Sequence, residues 1–285
     1  MRFAFKTSPQ NTTWADMLAV WRAADDIDVF ESGWTFDHFY PIFSDPAGPC
    51  LEGWTTLTAL AQATTRLRLG TLVTGIHYRH PAVLANMAAA LDIISGGRLE
   101  VGIGAGWNEE ESGAYGIELG SVRERFDRFE EACQVLIGLL SNDTMDFDGT
   151  YYQLKAARNE PKGPQRPHPP ICIGGSGEKR TLRITAKYAD HWNFVGGPPE
   201  EFARKRDVLA SHCADIGRDP KEIKLSAHIR LDFDRGNRAV IEDAIALGAE
   251  GLDLAIIYLP TPHDPVVLEP LAEAIRESGL WRPAS

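Results

Sequence analysis

The chain has 285 residues, 44% of them hydrophobic and 24% charged, enough to bury a sizeable core without disulfides or metals. Its net charge of −11 argues against nucleic acid or an anionic membrane surface as a partner, since both call for a basic face. No stretch approaches the ~20 apolar residues of a membrane span, and the start MRFAFKTSPQ lacks the charged head and apolar run of a signal peptide. Four scattered cysteines (Cys50, Cys133, Cys172, Cys213) form no C-x-x-C pair, which fits reduced thiols in a cytoplasmic enzyme and no zinc site.

In chain order, short apolar runs at 2–6, 29–31, 68–74, 99–103, 171–174, 191–195, 224–229 and 252–258 read as strands. Amphipathic segments at 14–25, 53–65, 81–94, 122–140, 178–188, 200–216, 238–247 and 265–276 alternate with them as helices. The fourth, for example, places Phe126, Phe129, Cys133, Leu136 and Leu140 on one face. Pro81 and Pro199 stand where helices begin, and Gly248 follows the last periodic residue of its helix. Eight strands each followed by a helix predict an α/β fold of the (β/α)8 TIM-barrel class, one domain over 1–285. A doubly wound sheet is the competing architecture, but eight even units with no break in composition favour closure. Segment 141–170, ending in PKGPQRPHPP, is too long for a connection; it is an insertion before the fifth barrel strand, placed here beside the mouth of the site.

Barrels of this class carry their chemistry at the C-terminal ends of the strands. The candidates are therefore Trp34, Asp37 and His38 after the second strand; Thr74, His77, Arg79 and His80 after the third; and Gly104, Ala105, Gly106, Trp107, Asn108, Glu109 and Glu111 after the fourth. GGSG (Gly174, Gly175, Ser176, Gly177) follows the fifth. It exposes backbone N–H groups at a helix start, with Lys179 and Arg180 nearby, which suits a phosphate and equally suits a plain tight turn. GIGAGW lacks dinucleotide-fingerprint spacing and fits close backbone approach to a flat ring, with Trp107 as an aromatic wall. Glu109 and Glu111 serve either a site or a helix N-terminus. His38 is placed to exchange a proton with a substrate, although a lone histidine is commonly a packed one. No H-E-x-x-H, G-x-S-x-G or Walker motif occurs.

The stretches SGWTFDHF, LGTLVTGIHYRHPAVLANMAAALDIISGGRLEVGIGAGWNEEESGAYGI, RFDRFEEACQVLIGLL and PPICIGGSGEKRTLRITAKYADHWN stand in family order over most of the chain, weakening after about Asn193. They resemble the luciferase-like monooxygenase superfamily and, within it, the coenzyme F420-dependent oxidoreductases. The resemblance implies a non-prolyl cis peptide at Leu72–Val73 beneath the cofactor ring, with Thr74 bonding the ring edge. It implies that Asp37 and His38 line the ring, His38 moving a proton, that Gly104, Ala105 and Gly106 pass beside it, and that Gly175, Ser176 and Gly177 hold its phosphate. Where some relatives carry an acid this chain has Trp107, so acid–base chemistry falls to His38, Glu109, Glu111 or the substrate. Hydride transfer between deazaflavin C5 and a small substrate is the implied reaction. An aromatic pocket of Trp34, Trp107, Trp192 and Phe194 is expected, making the substrate fairly apolar. FMN-dependent oxygenation on the same fold, or a non-catalytic cofactor carrier, are the alternatives. Relatives also pair as homodimers through helices corresponding to 53–65 and 81–94.

Overall fold

The computed structural model describes residues 1–232 and 234–283. Eight parallel strands close into one barrel: β1 (Arg2–Lys6), β2 (Phe30–Asp37), β3 (Arg68–Gly75), β4 (Leu99–Gly104), β7 (Ile171–Gly174), β8 (His191–Phe194), β9 (Lys224–Arg230) and β10 (Leu254–Tyr258). Between β4 and β7 an antiparallel hairpin, β5 (Met145–Asp148) and β6 (Gln153–Ala157), stands apart from the barrel. Around the barrel the order of strands is β1-β10-β9-β8-β7-β4-β3-β2, so the chain winds once and closes β10 on β1 through a five-residue register from Arg2↔Leu254 to Lys6↔Tyr258.

The helices are α1 (Trp14–Asp25), α2 (Gly53–Ala63), α3 (Pro81–Ser95), α4 (Glu109–Ala114), α5 (Val122–Ser141), α6 (Thr181–Tyr188), α7 (Pro199–Asp215), α8 (Gly236–Ala249) and α9 (Leu268–Glu277). Local chemistry fixes several starts. Thr13 and Ser121 form capping boxes with Asp16 and Glu124, and Pro81 and Pro199 occupy first turns, where no amide hydrogen is needed. At the other end of α3, Gly96 closes the helix in the left-handed region at φ 67°. In α8 the helix runs through Gly248 to Ala249, one turn position beyond the expected stop.

Most apolar burial lies between the strands and the helices, where Phe3, Phe5, Trp21, Phe30, Phe129, Leu136, Trp192 and Phe202 are inaccessible to solvent. Inside the barrel a smaller plug of Ala4, Trp34, Leu72, Cys172, Leu254 and Ile256 fills the middle. Below it Glu100 is the hub of a charged floor, bonded to Arg68 Nε at 2.9 Å, Lys224 Nζ at 2.9 Å and His191 Nδ1 at 3.0 Å.

Two elements depart from expectation. β2 runs for eight residues, because Ser32 and Gly33, which look like a turn in sequence, are a strand pressed under a large neighbour: a Cβ on Gly33 would lie 2.7 Å from Trp21 and 2.8 Å from Phe5. The 141–170 segment does not reach the mouth of the barrel. Its hairpin lies on α5, where the Glu131 carboxylate accepts N–H bonds from Thr150, Tyr151 and Tyr152. Its second half descends to the N-terminal end of the strands. There Gln165 binds the Asp92 carboxylate at 2.7 Å and the Leu99 carbonyl at 2.8 Å, and accepts a bond from Arg68.

Gly102, in β4, shows how tightly the barrel is closed, since a Cβ there would lie 1.6 Å from the Thr71 carbonyl oxygen of β3. Gly102→Ala is expected to lower unfolding free energy by about 3 kcal/mol, read as a reduced urea midpoint with unchanged slope. A variant as stable as the parent would mean that β3 and β4 separate freely at this point.

Candidate active site

A cavity of about 1620 Å³ opens at the C-terminal rim of the barrel. Its first arc is built from β3, β4 and β7. The Leu72–Val73 peptide is cis. The pairing of β3 with β4 shifts register between Gly70 and Thr74, and both Leu72 and Val73 line the cavity. Val73 occupies the space that two side chains would otherwise need. A Cβ on Gly104 would come within 2.8 Å of it, and one on Gly174 within 2.9 Å. Gly106 and Gly175 take φ values of 83° and 121°, which favour glycine. The outcome is a wall of bare backbone, Gly104, Ala105, Gly106, Gly174 and Gly175, along one side of the cavity.

Beyond that wall the GGSG segment turns through 178–180 before α6 begins at Thr181, three residues later than the sequence pattern implies. Arg180 at the N-cap supplies no side-chain cap, and its guanidinium pairs instead with Asp127. The Ser176 hydroxyl is buried with no hydrogen-bond partner among the described residues, as is Arg125 Nε on α5. Thr181, which sequence reasoning passed over, lines the cavity here.

The second feature is a proton-handling array that draws on the ends of β2, β3 and β4. His38 Nδ1 lies 2.7 Å from Glu111 Oε2, the Tyr78 hydroxyl donates to the same oxygen at 2.5 Å, and the Phe39 N–H donates to Glu111 Oε1. Asn108 caps α4 by accepting the Glu111 N–H at 3.1 Å, which fixes where the carboxylate stands. Burial by itself would raise the Glu111 carboxyl, but hydrogen bonds from His38, Tyr78 and Phe39 outweigh it and hold the group below its ordinary value. Burial, reinforced by Glu111, pushes the Tyr78 phenol far up, so it keeps its proton and remains a donor. With Glu111 ionised, His38 Nδ1 is the ring nitrogen that carries its hydrogen toward the carboxylate, and Nε2 is the remaining nitrogen of a residue that lines the cavity. His77 beside them is lowered to about 4 by burial and bonds Ser112 through Nε2.

Several expected site residues stand elsewhere. Asp37 does not line the cavity: fully buried, it forms a two-pronged ion pair with Arg79, which also holds Glu52 at 2.7 Å. Thr74 is likewise turned away, its hydroxyl accepting from Trp54 Nε1 at 2.9 Å and meeting Thr71 Oγ1 at 3.1 Å. Glu109 is exposed on the first turn of α4, where the acidic run serves the helix. The aromatic pocket is not assembled either. Trp34 is in the interior plug, and Trp192 and Phe194 pack outward on Phe202. Only Trp107 stands at the mouth, 50% exposed, stacked on Phe43 at 5.5 Å and edge-on to His38 at 5.6 Å. Alternation along a strand explains the pattern: with Phe36 and His38 facing the cavity, Asp37 must face out, and with Asn193 facing in, Trp192 and Phe194 cannot.

Sequence reasoning also missed the third wall, from β1, β9 and β10. Lys6, His228, Arg230 and Tyr258 line the cavity there. Lys6 donates to the Leu72 carbonyl at 3.1 Å and is lowered to about 7, by burial first and by the charge of Arg230 second. Among the described residues no group of three His, Cys, Asp or Glu side chains is gathered for a metal ion, and no helix is long and apolar enough to cross a membrane.

A closed (β/α)8 barrel with a backbone-walled cavity and a histidine–carboxylate pair at its C-terminal rim defines the class of protein. The model of the luciferase-like monooxygenase family matches residues 1–279, and the chain belongs to that family. It is 36% identical to the pyrimidine monooxygenase RutA of Methylobacterium radiotolerans over 174 residues, 59% of this chain but only 44% of that relative. With the F420-dependent glucose-6-phosphate dehydrogenase of Beutenbergia cavernae it shares 28% over 289 residues, 99% of this chain and 83% of the relative. Among solved structures it superposes on an F420-dependent secondary alcohol dehydrogenase, described in complex with an F420-acetone adduct, at TM-score 0.86 and 20% identity, covering 97% and 98% of the two chains. The relatives are thus oxidoreductases and monooxygenases on this barrel.

The lowered Lys6 has a consequence for stability. The folded protein releases this proton near pH 7, whereas the unfolded chain holds it to the ordinary 10.5. The unfolded state binds more protons between those values, so this group makes stability rise with pH across that window. Lys6→Met is expected to remove that rise from a series of melting temperatures taken between pH 7 and 10; parallel profiles for parent and variant would contradict it.

Proposed function

We propose that the protein is a coenzyme F420-dependent oxidoreductase that moves a hydride between the deazaflavin and the carbon of a small alcohol or carbonyl compound. The observation that carries the proposal is the His38–Glu111–Tyr78 array facing a cavity whose opposite wall is bare backbone. The residues present fit such a cofactor. Gly104, Ala105, Gly106, Gly174 and Gly175 admit a flat ring against the Val73 kink, and the partnerless Ser176 hydroxyl, with Thr181 beside it, suits a phosphate. When bound, a deazaflavin supplies a ring carbon that accepts or gives hydride and reacts poorly with oxygen.

The chain itself handles the proton. Glu111 holds His38 in the tautomer with Nε2 unprotonated, so Nε2 takes the hydroxyl proton of an alcohol as hydride leaves the adjoining carbon, and returns it in the reverse direction. Tyr78 and the Phe39 N–H steady the carboxylate through both protonation states of the imidazole. Trp107 and Phe43 stand over the mouth and limit water at the reacting carbon. A non-catalytic carrier would have no use for a histidine oriented in this way. The 36% match to a pyrimidine monooxygenase keeps an FMN-dependent oxygenase as the second reading, since the same wall admits FMN.

His38→Ala is expected to lower kcat for F420 reduction by small secondary alcohols about 10²- to 10⁴-fold while cofactor affinity stays unchanged. The check is anaerobic turnover followed by deazaflavin absorbance, beside fluorescence titration of the cofactor. Full turnover by the variant would remove His38 from the mechanism.

A further inference from the structure

The third wall of the cavity has no part in the proton chemistry. Lys6 ends β1, His228 and Arg230 lie on β9 and Tyr258 ends β10, and these strands are neighbours in register: Lys6 pairs with Tyr258, and Tyr258 with Arg230. The Tyr258 ring separates two cations, with Lys6 Nζ 4.9 Å and the Arg230 guanidinium carbon 5.6 Å from its centroid. Its hydroxyl is tied to Ser8 at 2.5 Å, so the ring is fixed from behind. His228 Nε2 is buried and has no hydrogen-bond partner among the described residues.

The charges on this wall are unanswered. The chain carries 40 acids against 29 lysines and arginines, yet among the described residues neither Lys6 nor Arg230 has a carboxylate within 4.0 Å. Three acids also line the cavity: Asp232 accepts the Asp234 N–H at 2.9 Å, Asp243 pairs with Arg235 at 3.5 Å, and neither these nor Asp234 forms an ion pair with Lys6 or Arg230. Two cations that face the cavity with no carboxylate in direct contact can take an anionic group of a ligand as their partner. Of the four aromatic residues expected to form an apolar pocket, only Trp107 lines this cavity, where Phe36, Phe43 and Phe126 stand in place of Trp34, Trp192 and Phe194.

We infer that Lys6, His228 and Arg230, arranged around Tyr258, form a subsite for an anionic group of the substrate, a carboxylate or a phosphate. The inference rests on reading the cavity as a substrate pocket. The subsite is separate from the Gly-rich wall: the barrel order places β1, β10 and β9 on one side of the opening and β3, β4 and β7 on the other. It adjoins β2, which carries His38, so a substrate held by its acid group extends its hydroxyl or carbonyl carbon toward the proton-transfer pair. The substrate class is a hydroxy or oxo compound that also bears an acid group. Burial and Arg230 lower Lys6 to about 7, while burial holds His228 neutral and pushes the Tyr258 phenol up. An anion beside Lys6 opposes both causes of its shift, so binding above pH 7 draws in a proton.

The test is isothermal titration of the cofactor-free full chain with sulfate, an anion that does not itself titrate, at pH 8 and constant ionic strength in two buffers of different ionisation enthalpy. Parent protein is expected to bind sulfate with proton uptake. Affinity should fall about tenfold in Arg230→Met and in Lys6→Met, a loss of about 1.4 kcal/mol, and stay unchanged in Arg183→Met, which removes an exposed charge outside the cavity. Proton uptake should vanish in Lys6→Met and in Lys6→Arg, whose guanidinium is already protonated at pH 8, and uptake that persists in both contradicts Lys6 as the group that titrates. Arg230 is exposed, so its variant decides the matter even if Lys6→Met fails to fold. No binding by the parent, or binding that Arg230→Met leaves within about twofold, overturns the subsite. Because no cofactor is present, this result stands or falls separately from the choice between F420 and FMN.

Discussion

One buried carboxylate organises the rim of this barrel. Glu111 receives His38 from the end of β2, the Phe39 amide beside it, and Tyr78 from the turn after β3, while its own position is set by the Asn108 cap after β4. Three loops that share no sequence proximity are thereby held in one geometry. Removing the carboxylate would strand three donors around a buried position, a larger penalty than the loss of any single hydrogen bond. The same contacts give His38 its tautomer, so the stability of the rim and the chemistry of the site are one arrangement seen from two sides.

The cavity that this array faces is divided by strand order. On β3, β4 and β7 the side chains are withdrawn, Val73 filling the room that glycines at 104 and 174 leave, so that a flat ring meets mainly backbone. On β1, β9 and β10 the side chains are present and cationic. Between the two, Leu72 and the interior plug form the floor, and the Glu100 network seals the barrel from below. In the proposed function, a cofactor on the first wall and a substrate on the second would meet near His38, as hydride transfer requires.

Much of this was legible in the sequence. The eight strand positions, the Gly-rich stretches and the Leu72–Val73 cis peptide all lie where pattern or family resemblance place them. Several placements that differ from expectation have one physical cause: a strand sends neighbours to opposite faces, so with His38 and Asn193 toward the cavity, Asp37, Trp192 and Phe194 point away. The family resemblance placed Asp37 and Thr74 against the cofactor ring, whereas their side chains meet Arg79 and Trp54 of α2. Tyr78 escaped notice among more conspicuous histidines, although its place directly after the β3 kink made it a candidate of equal standing. Lys6 and Arg230 carry no motif at all. Only the register of β1, β10 and β9 brings them around one ring, and register between strands more than 200 residues apart cannot be read from local pattern.

The central claim is that the backbone wall and the His38–Glu111 pair form a deazaflavin site. Fluorescence titration of the purified protein with coenzyme F420 and, separately, with FMN tests it most directly. Saturable micromolar binding of F420, with FMN bound far more weakly, is expected of a deazaflavin site. Saturable binding of FMN with no response to F420 would contradict it and move the protein to the oxygenase branch of its family.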